Sequence, residues 1–95
     1  MKANEILEAV AATITQRGEQ NGYDKKEERS AAEVARLFNT KTGYTLSEAD
    51  AWQFMICLKE VRLLRQLHNN GDILDTLTDL VAYNTLMAEC LAEKK

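Results

Sequence analysis

No proline occurs anywhere in the 95 residues. Only glycine is then left to punctuate the backbone, and the four glycines, Gly18, Gly22, Gly43 and Gly71, all stand where helices would end. Between them the apolar residues recur at three and four rather than at two, the period of amphipathic helices and not of strands. The chain therefore reads as all-α, a compact four-helix and mostly antiparallel bundle in a single domain over residues 1–95.

The first helix is expected over residues 4–17, with Leu7, Val10, Ala11 and Ile14 on one face and Gly18 as a left-handed stop. Residues 19–26 carry the Asn21-Gly22 turn signal and no apolar period, so they read as loop. Ser30-Ala-Ala-Glu33 has the form of a capping box and opens the second helix, which Glu27 and Glu28 would lengthen by a turn. Its apolar face is Ala31, Val34, Leu37 and Phe38, and it ends before Gly43. Thr45-Leu-Ser-Glu48 is a second such box and starts the third helix, which runs to about Leu67. The fourth helix spans residues 72–93, with a core stripe of Ile73, Leu77, Leu80, Val81, Met87 and Leu91.

The third helix is apolar on more than one side. Trp52, Met55, Ile56 and Leu63 make one stripe, while Phe54, Leu58, Val61 and Leu64 fall elsewhere around the axis. Such a helix needs cover on more than one side, and a second copy of the chain, meeting the helix 3/helix 4 region, is the simplest supplier. A chain of this length buries only about 60–65% of its unfolded surface, which also favours a homodimer.

Composition removes several classes. Twelve basic against 15 acidic side chains leave a net charge of −3, which argues against a nucleic-acid partner. With 45% hydrophobic residues the chain is too apolar for a disordered one. No apolar run approaches the ~20 residues that cross a bilayer. The start Met1-Lys2-Ala3-Asn4-Glu5 puts acid where a signal peptide carries its apolar stretch, so a cytoplasmic protein is expected. P-loop, dinucleotide-binding and nucleophile-elbow motifs are all missing. Cys57, Cys90 and His68 are too few and wrongly spaced for zinc. If helices 3 and 4 fold back near residue 70, the two cysteines lie roughly 10 Å apart along the axis, beyond the ~7 Å disulfide reach. Both then read as buried free thiols.

The most suggestive polar constellation lies on the helix 3–helix 4 hairpin. Lys59, Arg62 and Gln66 share one helix face, and Asp72, Asp75, Asp79 and Tyr83 share another. Folding back about Gly71 would set Asp79 near Arg62 and Asp75 near Arg65 or Gln66. One reading is a small polar site, with carboxylates on magnesium and Lys59, Arg62 and Tyr83 on a phosphate. The structural alternative makes Asp72 an N-cap and Asp75 a favourable acid at position N3, with Asp79 paired to Arg62 or Lys59. Arg17 either complements its helix dipole or points into a shared pocket that Tyr23 covers. The mixed run Lys25-Lys26-Glu27-Glu28-Arg29 reads as a solvated helix start, and His68 as a dipole partner at a helix end. Asn84, an amide inside an apolar stripe, either bonds to a neighbouring helix or sets dimer register, a role shared with Trp52.

Taken in order, Arg17-Gly18, Asn21-Gly22-Tyr23, Glu27-Glu28, Ala35-Arg36-Leu37-Phe38, Leu58-Lys59-x-x-Arg62 and Asp75-x-x-x-Asp79-x-x-x-Tyr83 resemble a known set of landmarks. The resemblance is to a family of small helical proteins of unknown function encoded by tailed phages and prophages, and it spans residues 6–89. It implies a bacterial cytoplasmic setting and a host or phage protein as partner. A fainter similarity runs to all-α nucleoside triphosphate pyrophosphohydrolases and to nucleotide-modification-associated domains of phages. The pyrophosphohydrolases bind magnesium through Glu-Glu-x-x-Glu and a later Glu-x-x-Asp. Here Glu27-Glu28 is followed by Ala31 where the third glutamate belongs, and Asp72-Ile-Leu-Asp75 stands in for the second motif.

The leading expectation is thus a phage-type accessory protein that acts non-enzymatically, through protein or small-ligand binding and without a cofactor. The rival is a magnesium-dependent enzyme on nucleotide phosphates, with Asp75 and Asp79 on metal and Lys59, Arg62 and Arg17 on phosphate.

Overall fold

The computed structural model describes residues 2–20, 30–69, 71 and 73–93, the side chains of residues 17–20 excepted. Among them it holds four helices and no strand: α1 (Ala3–Gln20), α2 (Ser30–Thr42), α3 (Glu48–His68) and α4 (Leu74–Glu93). The all-α expectation holds. α3 and α4 make the most extensive contact, α2 lies on α3, and α1 lies on α4. The backbones of α1 and α2 do not approach one another among the described residues. The radius of gyration is 14.4 Å, above the ~13 Å typical of a 100-residue domain.

Helix ends obey local chemistry. α1 runs across Gly18 to Gln20 rather than stopping at it, since an interior glycine costs a helix only about 1 kcal/mol. At the end of α2, Gly43 takes φ 79° and its N–H donates to the Asn39 carbonyl at 2.8 Å, the left-handed stop expected there. Gly71 has no such demand. A Cβ built on it would meet Gln66 at 3.4 Å, ordinary contact. Gly43→Ala should therefore destabilise by ~1–2 kcal/mol in urea unfolding, while Gly71→Ala should move stability by no more than ~0.5 kcal/mol.

The cap of α3 lies two residues beyond the expected Thr45–Glu48 box. Ser47 is the N-cap: its Oγ accepts from the Asp50 N–H at 3.0 Å, and Asp50 Oδ2 accepts from the Ser47 N–H at 3.1 Å. Two overlapping matches to one pattern compete here, and the one adjoining the first helical turn prevails. Ser47→Ala should cost about 1 kcal/mol and Thr45→Ala almost nothing, a contrast that thermal melts resolve. The connection before it is braced by Asn39, whose amide donates to the Leu46 carbonyl at 2.9 Å and accepts from the Leu46 N–H at 2.7 Å.

The core is thin and made largely of small residues. Ala31, Ala35, Ala51, Trp52, Leu86 and Cys90 form one buried cluster, against which Ile14, Met55, Tyr83 and Met87 pack. Trp52, 1% exposed, is the one large side chain so completely enclosed among the described residues. Alanines let the helices approach closely, so they take inner positions that larger side chains were expected to fill. On α2 the inner residues are Ala31 and Ala35, while Val34 and Leu37 are exposed. On α4 they are Thr76, Ala82, Leu86 and Cys90; of the expected stripe, Leu77 and Leu91 are exposed, while Ile73, Leu80, Val81 and Met87 are half-buried. Leu7 and Cys57 are exposed as well, which corrects the expectation of two buried thiols; the two cysteines are not joined in a disulfide.

Candidate functional site

The α3–α4 seam is built from two lines of residues seven apart. On α3 these are Trp52, Lys59 and Gln66; on α4 they are Thr76, Tyr83 and Cys90. A seven-residue step returns to almost the same helix face, so each line stays against its neighbour over about four turns. Because the helices run antiparallel, Gln66 meets Thr76 and Lys59 meets the Asp79–Tyr83 turn.

The contacts are specific. The Thr76 hydroxyl donates to Gln66 Oε1 at 2.7 Å, which satisfies a threonine that is only 5% exposed. Lys59 Nζ donates to Asp79 Oδ2 at 2.8 Å, and each of these side chains keeps 16% of its surface exposed. The same ammonium stands 6.0 Å from the centroid of the Tyr83 ring, which in turn packs 5.5 Å from Trp52. Trp52 Nε1 donates to Glu48 Oε2 at 3.4 Å. The arrangement is a ladder of ion pair, phenol and indole that pins two helices at one register.

The expected constellation is thus only partly assembled. Lys59, Asp79 and Tyr83 come together. Arg62 is exposed, three residues off the line that faces α4, and it is Lys59 that takes Asp79. Gln66 meets Thr76, not Asp75, and Asp75 is exposed in the first turn of α4. That helix begins at Leu74, with the Ile73 carbonyl accepting from the Leu77 N–H at 2.9 Å, so Asp75 sits one position closer to the helix start than expected. His68 is exposed in the last turn of α3. The Arg17 side chain, Tyr23, Lys25, Lys26, Glu27, Glu28, Arg29 and Asp72 lie outside the described residues.

Magnesium fits these residues poorly. Asp79 already accepts from an ammonium that a cation would have to displace, and Asp75 is the only other expected ligand among the described residues. No three His, Cys, Asp or Glu side chains gather there into a metal-binding group. Ala31, where the pyrophosphohydrolase-like motif would need a carboxylate, is 0% exposed within the core.

Two residues expected at a dimer contact differ in kind. Trp52 is enclosed within the chain's own core at 1% exposure. Asn84 is exposed on the outer side of α4, its Nδ2 donating to the Leu80 carbonyl of its own helix at 2.8 Å. It lies in an open apolar hollow of about 540 Å³, together with Leu77, Leu80, Val81, Thr85 and Ala88. A smaller notch of about 280 Å³ opens at the start of α3, between Leu46, Asp50, Gln53, Phe54 and Cys57. Neither hollow is lined by Lys59 or Asp79.

Sequence reasoning missed Thr76 and Asn39. The signal for Thr76 was present in its seven-residue spacing to Tyr83 and Cys90. Asn39 carries no such signal, because it acts on a loop carbonyl and amide seven residues away.

A family model described as "Domain of unknown function (DUF6378)" matches residues 5–91, and the chain belongs to that family. No curated protein and no solved structure matches it. No helix among the described residues is long and apolar enough to cross a membrane.

Proposed function

We propose that this member of the DUF6378 family is a phage-type accessory protein that works by binding rather than by catalysis, as a homodimer in the cytoplasm of a bacterial host. The carrying observation is the outer face of α3, where Phe54, Leu58, Val61, Leu64 and Leu67 are all 45–62% exposed. Contiguous apolar surface of this kind marks interaction sites on small domains. The internal charge pair, by contrast, is spent on holding α3 to α4. The phage setting is supported by the ordered landmarks from Arg17 to Tyr83.

The test is a thermal-shift panel of nucleoside mono-, di- and triphosphates, each with and without magnesium. A ligand at 100 times its Kd would stabilise by about 2.7 kcal/mol and raise Tm by several degrees. A flat panel is the expected result. A magnesium-dependent shift for one nucleotide class would overturn the non-enzymatic reading and lead directly to an assay for pyrophosphate release.

A further inference from the structure

We propose that a second copy of this chain docks α3 against α3 in parallel, in register, along the exposed line Phe54, Cys57, Val61, Leu64 and His68. This rests on the homodimer reading above and names its surface. The five positions alternate three and four apart, the spacing of a and d residues in a coiled-coil seam. All five are exposed, Phe54 and Leu64 at 62% each. They lie about half a turn around α3 from the Trp52–Lys59–Gln66 line, so cover from α4 does not reach them. Leu58 and Leu67, 51% and 54% exposed, widen the stripe on either flank.

Charge complementarity selects both the partner and the direction. Glu60 and Arg65 are exposed on opposite flanks of the line, at positions g and e when Phe54 and Val61 are a. In a parallel pair, residue g of one helix faces residue e of the next heptad on the other. Glu60 then meets Arg65 of the second copy, twice, by symmetry. In an antiparallel pair the same flanks set Glu60 against Leu67 and Arg65 against Leu58, leaving both charges on leucine. The surface is therefore complementary to itself in one orientation. Exposed pairs contribute little energy, so these set direction while the apolar line supplies affinity. Around Asn84 the outer face of α4 also has seven-residue spacing, through Leu77 and Leu91, but no charge flanks it to choose a partner.

The seam is short, roughly 21 Å from Phe54 to His68, and the dimer is accordingly a weak one. The notch beside Phe54 gives the ring of the second copy room to enter. In the parallel arrangement Cys57 faces its own equivalent, within the ~4.4–6.8 Å Cα separation that a short cross-link bridges. Antiparallel docking would carry the two thiols away from each other.

The experiment combines sedimentation velocity at two protein concentrations with cross-linking by a short bis-maleimide. The wild-type chain should show a concentration-dependent dimer and a covalent dimer that Cys57→Ser abolishes. Leu64→Glu should give a monomer with unchanged helicity by circular dichroism. Glu60→Arg and Arg65→Glu should each weaken the dimer, and the two together should restore it. A strictly monomeric wild-type chain would overturn both this seam and the homodimer reading. A dimer that survives Leu64→Glu, or one in which Cys57 does not cross-link, overturns the parallel α3 seam and leaves the homodimer reading intact.

Discussion

Replacing Trp52 by alanine should remove about 3–5 kcal/mol, the cost of emptying a site this large in a core that has little else to collapse into it. The indole is 1% exposed, and its fully buried neighbours are alanines, a cysteine and one leucine, with Met55, Tyr83 and Met87 packed against the cluster from its half-buried edge. Its loss also strands Tyr83, whose ring stands 5.5 Å away, and through it the Lys59 ammonium. Tm should fall by more than ~12 °C, and the far-ultraviolet dichroism of a warm sample should show helix loss. A Tm drop below ~4 °C would mean that the cluster around Ala51 and Leu86 is not the principal core. Trp52→Phe should recover most of the stability, because it restores the ring contact and forgoes the bond to Glu48 and the remainder of the indole's volume.

The second large effect is non-additive. Asp79→Leu or Lys59→Met alone leaves its partner charge in a site only 16% exposed, and each should destabilise by about 1–3 kcal/mol. The joint variant Lys59→Met, Asp79→Leu should lie within about 1 kcal/mol of the wild type, since two matched apolar side chains need no desolvation of charge. A urea double-mutant cycle reads the coupling directly. If the two positions were unrelated members of a ligand site, the single losses would add. Asp79→Asn should also leave the nucleotide–magnesium panel as flat as before.

Helix number and the C-terminal ends of α2 and α3 were legible in the sequence because they depend on neighbours a few residues away. Gly43 needs only its own φ and the Asn39 carbonyl, and α3 closes on Asn69, whose N–H donates back to the Arg65 and Gln66 carbonyls. Helix faces were harder to read. The stripe through Leu77, Leu80 and Val81 is genuine, but α4 exposes Leu77, leaves Leu80 and Val81 half-buried and encloses Thr76, Ala82, Leu86 and Cys90 instead. Periodicity measures where apolar residues cluster, and a helix with two apolar sides satisfies it twice. Small residues then decide which side is inner, through how closely two backbones can approach. The ion pair shows the same limit at finer scale. The antiparallel pairing brings Asp79 level with both Lys59 and Arg62, and only the line through Trp52 and Gln66 selects the lysine. The shift of the α3 cap from Thr45 to Ser47 is smaller in kind, a choice between two overlapping local patterns.

The position of α1 at the end of the row gives the molecule a built-in clock. Its backbone approaches α4 and no other helix among the described residues, while Ile14 packs against the cluster that encloses Cys90. A helix held on one side can depart without carrying the others with it. A thiol reagent would modify Cys57 at once and Cys90 only when the cluster that encloses it opens, so one chain carries both the reference and the signal. The lag between the two reactions would time that opening under native conditions, and a variant that loosens only Ile14, such as Ile14→Ala, should shorten it if the N-terminal helix leaves first.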